Sequence, residues 1–344
     1  MNTQMYPVKD VIEEVNRTRG VSGGWPSVFK YDYEESGRKA RILLNTEEAF
    51  NKDKKKTLRQ LDSWGFAFYS HLNTSGIPVE QLCFAIDFNI DIYLPDFEAF
   101  KRRLSYLNLN NEFEISLWIN KEGQRLYSAD GLFNRPENEV VRDLGSINPG
   151  GDDDKPGRLE KDFQAFLFGR GLHGDQDNPD RSSERLALLG EDFFNLKKTL
   201  NAEQRWLFRE FPTGVFNEKI ENQSRIMPTE FVDLVGLNKN GRLSVIELKV
   251  NDPKLEVMSQ LLDYALFFRT YLWNDVKKNG CFQTGNPIKR WDYFICYVVN
   301  NHYHPRFDNV FFNYFSPKDP GLNEFAFVKL TLGLVQKTAR NPGI

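Results

Sequence analysis

The sequence predicts an α/β protein in which a mixed β-sheet flanked by helices occupies the C-terminal part and an α+β domain precedes it. Hydrophobic residues make up 40% of the 344 residues and charged residues 27%, which is the balance of a globular protein. Short apolar runs of strand length alternate with longer runs of helical spacing. A stretch rich in Gly, Pro and Asp at residues 146–158 is typical of a linker, so we predict two domains, residues 1–150 and 155–344.

The N-terminal part carries both helical and strand signals. The predicted helices are Glu47–Trp64 and Asp96–Leu107, and the predicted strands are Gln81–Leu94, Glu114–Ile119 and Gln124–Ser128. Asp96 is the predicted N-cap of its helix, and Gly123 lies in the turn of a predicted hairpin. These elements predict an α+β domain with at least one antiparallel pair of strands.

The C-terminal part alternates helices with apolar strands. The predicted helices are Leu159–Phe168, Ser183–Leu200 and Leu255–Trp273, and the predicted strands are Trp206–Phe211, Phe231–Leu237, Leu243–Val250, Trp291–Val299 and Phe325–Leu332. The run WDYFICYVV at the fourth of these strands is typical of a buried strand. This order of helices and strands predicts a mixed sheet covered by helices.

Two acids and a lysine lie inside the Val-, Ile- and Leu-rich strands of this part. Asp233 lies in FVDLVGL, and Glu247 and Lys249 lie in SVIELKV. Side chains two apart on a strand share a face, so Glu247 and Lys249 point the same way. Gly241 lies in the turn between the two runs, and a tight hairpin would bring the two carboxylates alongside each other. Charged groups in such strands are costly to bury unless they hold a metal ion or do chemistry.

Two neighbouring carboxylates repel each other unless a cation lies between them, and Mg²⁺ suits a site with one or two carboxylates. We therefore predict that Asp233 and Glu247 bind Mg²⁺. A bound ion of this kind activates water and neutralises charge on a phosphate. Lys249 would orient the attacking water or stabilise the developing charge. Gln260 and Tyr264 share one face of the next predicted helix, from which they would reach a phosphate or steady the lysine and the water.

This arrangement resembles the PD-(D/E)xK nuclease superfamily. The residues that carry the resemblance are Asp233, the triplet Glu247-x-Lys249, and the downstream pair Gln260-x-x-x-Tyr264. The resemblance covers about residues 155–300. It implies a restriction-endonuclease-like sheet and a nuclease that cuts DNA, or sometimes RNA, with Mg²⁺ or Mn²⁺. The chain departs from the family pattern at one position, since Val232 stands where the family usually has a proline before the aspartate.

The resemblance also implies a further acid from a helix that precedes the first strand of the core. Two glutamates fit this description, and both are kept as candidates. Glu184 lies in the helix directly before the predicted strand Trp206–Phe211, so we favour it. Glu160 begins an earlier predicted helix and is the alternative.

The leading hypothesis is a metal-dependent DNA endonuclease, with a role in defence or restriction, whose N-terminal domain recognises the substrate or regulates cleavage. The alternative is a non-catalytic module of the same fold that binds nucleic acid or a partner protein. In that case the acids and the lysine form a structural ion pair at the end of the sheet. The net charge of −3 favours local nucleic-acid contacts over a broadly basic surface. A homodimer is left open.

Two groups of residues outside this segment have simpler interpretations. The basic clusters Lys52–Lys56 with Arg59, and Lys101–Arg103, are each predicted to be the charged face of a helix, with phosphate contacts as the alternative. His302 and His304 near Cys296 lack the paired spacing of a zinc site, so zinc is not expected.

The predicted location follows from segments that the sequence lacks and from its cysteines. No run of about 18 apolar residues is present, so no membrane-spanning helix is expected. The first residues lack the basic and apolar segments of a secretory signal. Three widely spaced cysteines suit a reducing compartment, and we predict a cytoplasmic protein.

Overall fold

The structure is a computed structural model that describes residues 7–21, 23–121, 123–128, 139–141, 159–168, 185–190, 207–228, 230–238, 242–271, 293–318 and 325–333. Of these, residues 120–121, 123–128, 139–141, 207 and 237 are described by their backbone alone. A search of the described helices finds none with the length and apolar character needed to cross a bilayer.

The first half of the chain forms helices and strands that alternate. Its elements are α1 (Val8–Arg17), β1 (Phe29–Glu34), β2 (Lys39–Leu44), α2 (Glu47–Lys52), α3 (Lys54–Thr74), β3 (Gln81–Ile86), α4 (Pro95–Asn110), β4 (Glu114–Lys121), β5 (Gly123–Ser128) and β6 (Glu139–Val141). The hairpin β1–β2 and the strand pair β4–β5 are antiparallel, whereas β2–β3 and β3–β4 are parallel. Parallel neighbours need crossover connections, and α3 and α4 provide them.

The second half also alternates strands with helices. Its elements are α5 (Leu159–Leu167), β7 (Leu207–Pro212), β8 (Val215–Asn217), β9 (Arg225–Met227), β10 (Phe231–Leu237), β11 (Leu243–Lys249), α6 (Val257–Tyr271), β12 (Phe294–Asn300), α7 (Asn309–Phe315) and β13 (Phe325–Thr331). The five-stranded sheet has the order β13-β12-β11-β10-β7, and β6, β8 and β9 form a small separate sheet. The protein is therefore a mixed α/β structure whose sheets contain both parallel and antiparallel pairs and are flanked by helices.

The two five-stranded sheets share one topology, although the sequence has no recognisable internal repeat. In each sheet an antiparallel hairpin is followed by a helix and a parallel strand, and then by a second helix and a second parallel strand. The order β1–β2–α3–β3–α4–β4 therefore corresponds to β10–β11–α6–β12–α7–β13. An extra antiparallel strand completes each sheet at opposite edges, β5 beside β4 and β7 beside β10.

Helices from the two halves pack against each other. A single cluster of buried apolar residues includes Phe84 of β3 and Phe294 of β12, so one core extends through both sheets. Helix α3 contacts α6 and α7, and the hydroxyls of Ser63 on α3 and Ser259 on α6 lie 2.5 Å apart. The division into domains at residues 1–150 and 155–344 stays a prediction.

A buried ion-pair network lies where α3, α4 and α6 meet. Arg103 donates to Asp62 at 2.5 Å and to Asp263 at 2.8 Å. Arg59 pairs with Asp263 at 3.2 Å and with Glu230 at 3.1 Å. Both arginines belong to basic clusters that were interpreted as charged helix faces. They are only 1% and 7% exposed, and each is neutralised by acids from other elements.

Several predicted elements differ from those in the structure. The predicted strand Gln81–Leu94 ends at Ile86, and its alternating second half is not a strand. Helix α4 begins at Pro95 with Leu94 as the N-cap, so Asp96 lies in the first turn and does not cap it. The prediction Glu47–Trp64 divides at Asp53, whose side chain caps α3 by accepting from the backbone N–H of Lys56.

Two further differences concern a predicted helix and two strands that were not predicted. Of the predicted helix Ser183–Leu200, the structure describes residues 185–190, where a helical turn ends at Gly190 with a left-handed φ of 81°. A glycine in this conformation ends helices, so the helix does not continue through it. Strands β1 and β2 were not predicted. Because β2 pairs with β3 in parallel, the first half contains parallel strands as well as the predicted antiparallel pair, which is β4 with β5.

Gly65 marks a close approach of α3 to the first sheet. A Cβ at this position would lie 2.3 Å from Cε1 of Phe84 and 3.2 Å from Cγ2 of Ile42. We expect Gly65→Ala to lower the free energy of unfolding by about 1–3 kcal/mol, because the overpacking exceeds the helical preference of alanine. The exposed Gly37→Ala, whose Cβ would meet nothing closer than 3.6 Å, serves as the control. Equal denaturation midpoints for the two variants would contradict this close approach.

Candidate active site

Asp233 and Glu247 lie on neighbouring strands of the second sheet. Strands β10 and β11 pair in antiparallel register with Leu234 opposite Ile246, which places the two acids at the same level of the hairpin. The carboxylate of Asp233 accepts a hydrogen bond from the backbone N–H of Leu248 at 2.8 Å. Both acids are buried, and Glu247 is only 1% exposed. The predicted convergence of the two carboxyl groups is thus present in the structure.

Lys249 joins these acids at the end of β11. Its Nζ donates to Oε1 of Glu247 at 2.6 Å and to the carbonyl of Leu248 at 3.1 Å. It also lies 3.4 Å from Oε1 of Glu160, which comes from α5. The side chains of Lys249 and Glu160 are 15% and 32% exposed, so these two groups form the solvent-facing side of the cluster.

Helix α5 presents Glu160 and Gln164, one turn apart, to the acid pair. Gln164 is fully buried, and its amide nitrogen donates to the backbone carbonyl of Asp233 at 2.8 Å and to its Oδ1 at 3.1 Å. Its amide oxygen accepts from Nε of Arg209 at 2.9 Å. Gln164 was not among the residues predicted from the sequence. The one available signal was its position four residues after Glu160, on the same face of a helix.

Of the two candidate glutamates, the structure places Glu160 beside Lys249. Glu184 lies outside the described residues. The position of Glu160 follows from the packing of α5 on β11, which brings the first turn of the helix to the end of the strand.

Gln260 and Tyr264 lie together on α6, as their spacing predicts. The amide nitrogen of Gln260 donates to the hydroxyl of Tyr264 at 2.7 Å, and that hydroxyl donates to the carbonyl of Phe231 at 3.1 Å. The tyrosine hydroxyl therefore ties α6 to the start of β10. Burial, with an added effect of the nearby Glu247 carboxylate, raises the pKa of Tyr264 well above its usual value, so the phenol stays neutral.

The three charged groups shift one another's proton affinities. Burial raises the pKa of Glu247 to about 8 against the opposing charge of Lys249, and the Asp233 carboxylate adds to the rise. Burial also raises the pKa of Asp233 to about 6, again opposed by Lys249. Burial disfavours the charged form of Lys249, yet its pKa is raised because three carboxylates stabilise the ammonium. Near neutral pH the acid pair therefore retains a proton that a bound cation would displace.

The donor atoms fit a hard divalent cation. Oε2 of Glu247 is buried and has no hydrogen-bond partner among the described residues, which leaves one carboxylate oxygen available as a ligand. The Asp233 carboxylate keeps lone pairs beyond the two hydrogen bonds it accepts. Within the described residues no group of three or more His, Cys, Asp or Glu side chains is placed to share a metal ion. A cation here would thus be held by two carboxylates and complete its shell with water or substrate oxygens.

The histidines and cysteine considered for zinc do not form such a group. Cys296 is buried inside β12, and the ring of His304 packs edge-on against Trp64 at 5.3 Å. Burial lowers the pKa of His304 to about 4, so it is a neutral ring in an aromatic cluster.

The first sheet does not reproduce the acid pair, although it has the same topology. The buried positions of its hairpin are occupied by Phe29 and Tyr31 on β1 and by Ala40, Ile42 and Leu44 on β2. No carboxylate occupies a buried position of that hairpin. The buried acids and the lysine are therefore a feature of the second sheet and do not follow from the topology itself.

No protein-family model matches the chain, and no curated protein matches it.

Proposed function

We propose that the protein is a metal-dependent nuclease that hydrolyses phosphodiester bonds, with a restriction-endonuclease-like C-terminal half and DNA as its substrate. One observation carries the proposal: two buried carboxyl groups and an ammonium group meet at the end of a β-hairpin, and one carboxylate oxygen has no partner among the described residues. Burying such groups without a function would cost stability. A role in defence or restriction is part of the same proposal.

The metal ion would be Mg²⁺ or Mn²⁺, held by Asp233 and Glu247. When bound, such an ion supplies Lewis-acid stabilisation of phosphate charge and lowers the pKa of water. The protein's own residues do the rest. Lys249 presents a positive charge toward the solvent-facing side of the acid pair, where a substrate phosphate would enter. Glu160, whose Oε1 lies 3.4 Å from that ammonium, would orient it.

The proposed roles of Gln260, Tyr264 and Gln164 are to position other groups. The Gln260–Tyr264 pair holds α6 against the start of β10 and so fixes the strand that carries Asp233. Gln164 orients the Asp233 carboxylate from the other side. Glu184 remains a candidate for the further acid.

The test is a cleavage assay with the purified full chain. Double-stranded DNA, single-stranded DNA and RNA are each incubated with Mg²⁺, with Mn²⁺ or with EDTA. We expect metal-dependent products, most abundant with a DNA substrate. Absence of products from all three substrates with either metal would refute the nuclease proposal.

A second candidate is a nuclease-fold module that binds nucleic acid or a partner protein without cutting. The observation that favours it is the direct Lys249–Glu247 ion pair at 2.6 Å, which satisfies one oxygen of Glu247 without a metal ion. The cleavage assay separates the two candidates, because a binding module would leave all three substrates uncut.

Metal binding should depend on pH in a defined direction. The raised pKa values of Asp233 and Glu247, about 6 and about 8, mean that a proton must leave before the ion binds. We expect the apparent Mn²⁺ affinity to rise by up to about tenfold per pH unit between about pH 6 and 8 and to level off above that range. Isothermal titration calorimetry in several buffers measures both the affinity and the released proton. A flat profile would contradict displacement of a proton.

Removal of the Gln164 amide should weaken the site without abolishing it. We expect Gln164→Leu to reduce Mn²⁺ affinity by about 10- to 100-fold, because the Asp233 carboxylate loses the donor that orients it. Gln60→Leu is the control, since this helical glutamine also donates to a carboxylate, Glu256, at 3.1 Å. The prediction fails if calorimetry gives the two variants the same affinity.

A further inference from the structure

A cavity of about 300 Å³ adjoins the candidate active site at the start of α6. Lys249 and Gln260 of the site form part of its wall. Lys55, Lys56 and Arg59 of α3 form another part, so the first half of the chain contributes to a space that opens onto the acid pair's lysine. At this wall the first half of the chain reaches the candidate site.

Basic side chains outnumber acidic ones in the wall. Lys254 adds a fifth cation, against the three acids Asp53, Asp252 and Glu256. Each acid is already engaged: Asp53 caps α3, Asp252 pairs with Lys254 at 2.6 Å, and Glu256 accepts from a glutamine of α3. Four of the five cations are paired as well: Lys55 and Arg59 with Glu230, Lys249 with Glu247, and Lys254 with Asp252. Lys56 is left without an ion pair among the described residues, and its charge makes the cavity better suited to an anion than to a second cation.

Two donors in the wall are not satisfied by the protein. Arg59 is 7% exposed, and its Nε has no hydrogen-bond partner among the described residues, although its other end pairs with Glu230 and Asp263. Lys56 is exposed and forms no ion pair within the described part of the chain. Both belong to the first two turns of α3, a helix of 21 residues whose N-terminal end carries partial positive charge.

We propose that this cavity binds a phosphate of the polynucleotide backbone next to the phosphate that is cut. Lys56 and Lys254 hold it at the mouth, and Arg59 faces it from the wall. The inference rests on the proposed nuclease function, because a strand with one phosphate at Lys249 has further phosphates on either side. In this proposal the first half of the chain helps to hold the substrate, and the second half carries the residues that cut it.

The test uses the full-length double variant Lys56→Gln/Lys254→Gln. Both side chains are exposed, so the fold should survive, which circular dichroism checks. Binding of a short fluorescein-labelled DNA oligonucleotide is followed by anisotropy in EDTA over a series of KCl concentrations. We expect about tenfold weaker binding and a slope of log affinity against log salt that is smaller by about 1 to 2. In a cleavage assay the double variant should raise KM and leave kcat unchanged.

The control is Lys9→Gln/Lys30→Gln, which removes the same charge from exposed positions on α1 and β1. Equal affinity and equal salt slope for the test variant and the control would overturn the inference, as would a wild-type protein that binds no oligonucleotide. The inference also fails if the double variant loses binding of inorganic phosphate but keeps the wild-type affinity for the oligonucleotide. A wild type that binds through these lysines but never cuts would support the subsite and refute the nuclease.

Discussion

We expect Lys249→Met to lower kcat for phosphodiester cleavage by about 10²- to 10³-fold, the loss typical when a positioned charge-stabilising group is removed. Methionine keeps the apolar stem of the lysine and removes only the ammonium. The fold should persist, because the Glu247 that loses its partner already has a raised pKa and takes up a proton. Single-turnover cleavage with saturating metal measures the effect, and thermal melting checks the fold.

Lys101→Met is the matched control for this variant. Lys101 is 13% exposed, against 15% for Lys249, and it also pairs with a glutamate on its own element, Glu98. The two substitutions therefore remove a similar charge from a similar depth. If both variants cleave at the wild-type rate, Lys249 has no part in the reaction and the proposed site is wrong.

The largest expected change in stability comes from Arg103. We expect Arg103→Leu to lower the free energy of unfolding by about 3–5 kcal/mol, because it leaves Asp62 and Asp263 buried without their shared partner. Burial already raises the pKa of Asp62, and Arg103 opposes that rise. The difference in the free energy of unfolding between the variant and the wild type should therefore shrink as the pH falls, since Asp62 can take up a proton in the variant. Urea denaturation at several pH values measures it.

Arg38→Leu provides the comparison at the surface of the same half. Arg38 pairs with Glu80 at 2.6 Å, but both side chains are more than half exposed. Its loss should cost less than about 1 kcal/mol and change little with pH. Similar losses for the two variants would mean that the network between α3, α4 and α6 does not hold the halves together.

The strands that carry the candidate site were predictable because each contains valine, a strong strand former, among other apolar residues. Strand β10 has the predicted bounds Phe231–Leu237, and β11 ends one residue before the predicted end. Strands β1 and β2, in contrast, mix charged with aromatic and aliphatic residues (FKYDYE and KARILL), and their apolar signal was too weak to recognise. Strand β2 is held in the sheet by β3, which lies far away in the sequence, and β1 is held by its pairing with β2.

The candidate site was predictable where it depends on local spacing. Two-residue spacing placed Glu247 and Lys249 on one side of a strand, and four-residue spacing placed Gln260 beside Tyr264. Gln164 was missed because its partner Asp233 lies on another element, and no local pattern separates it from an ordinary polar residue on a helix. For the same reason the burial of Arg59 and Arg103 could not be predicted from basic clusters.

The amino-acid sequence by itself determined the alternation of helices and strands, the hairpin with its two acids and lysine, and the pairing of glutamine and tyrosine on the following helix. These depend on neighbours a few residues apart. Only the tertiary structure decided that Glu160 stands beside Lys249, that α3 from the first half lines the cavity, and that both halves share one topology. Those features depend on packing between distant segments, where burial sets both the charge state and the partner of each polar group.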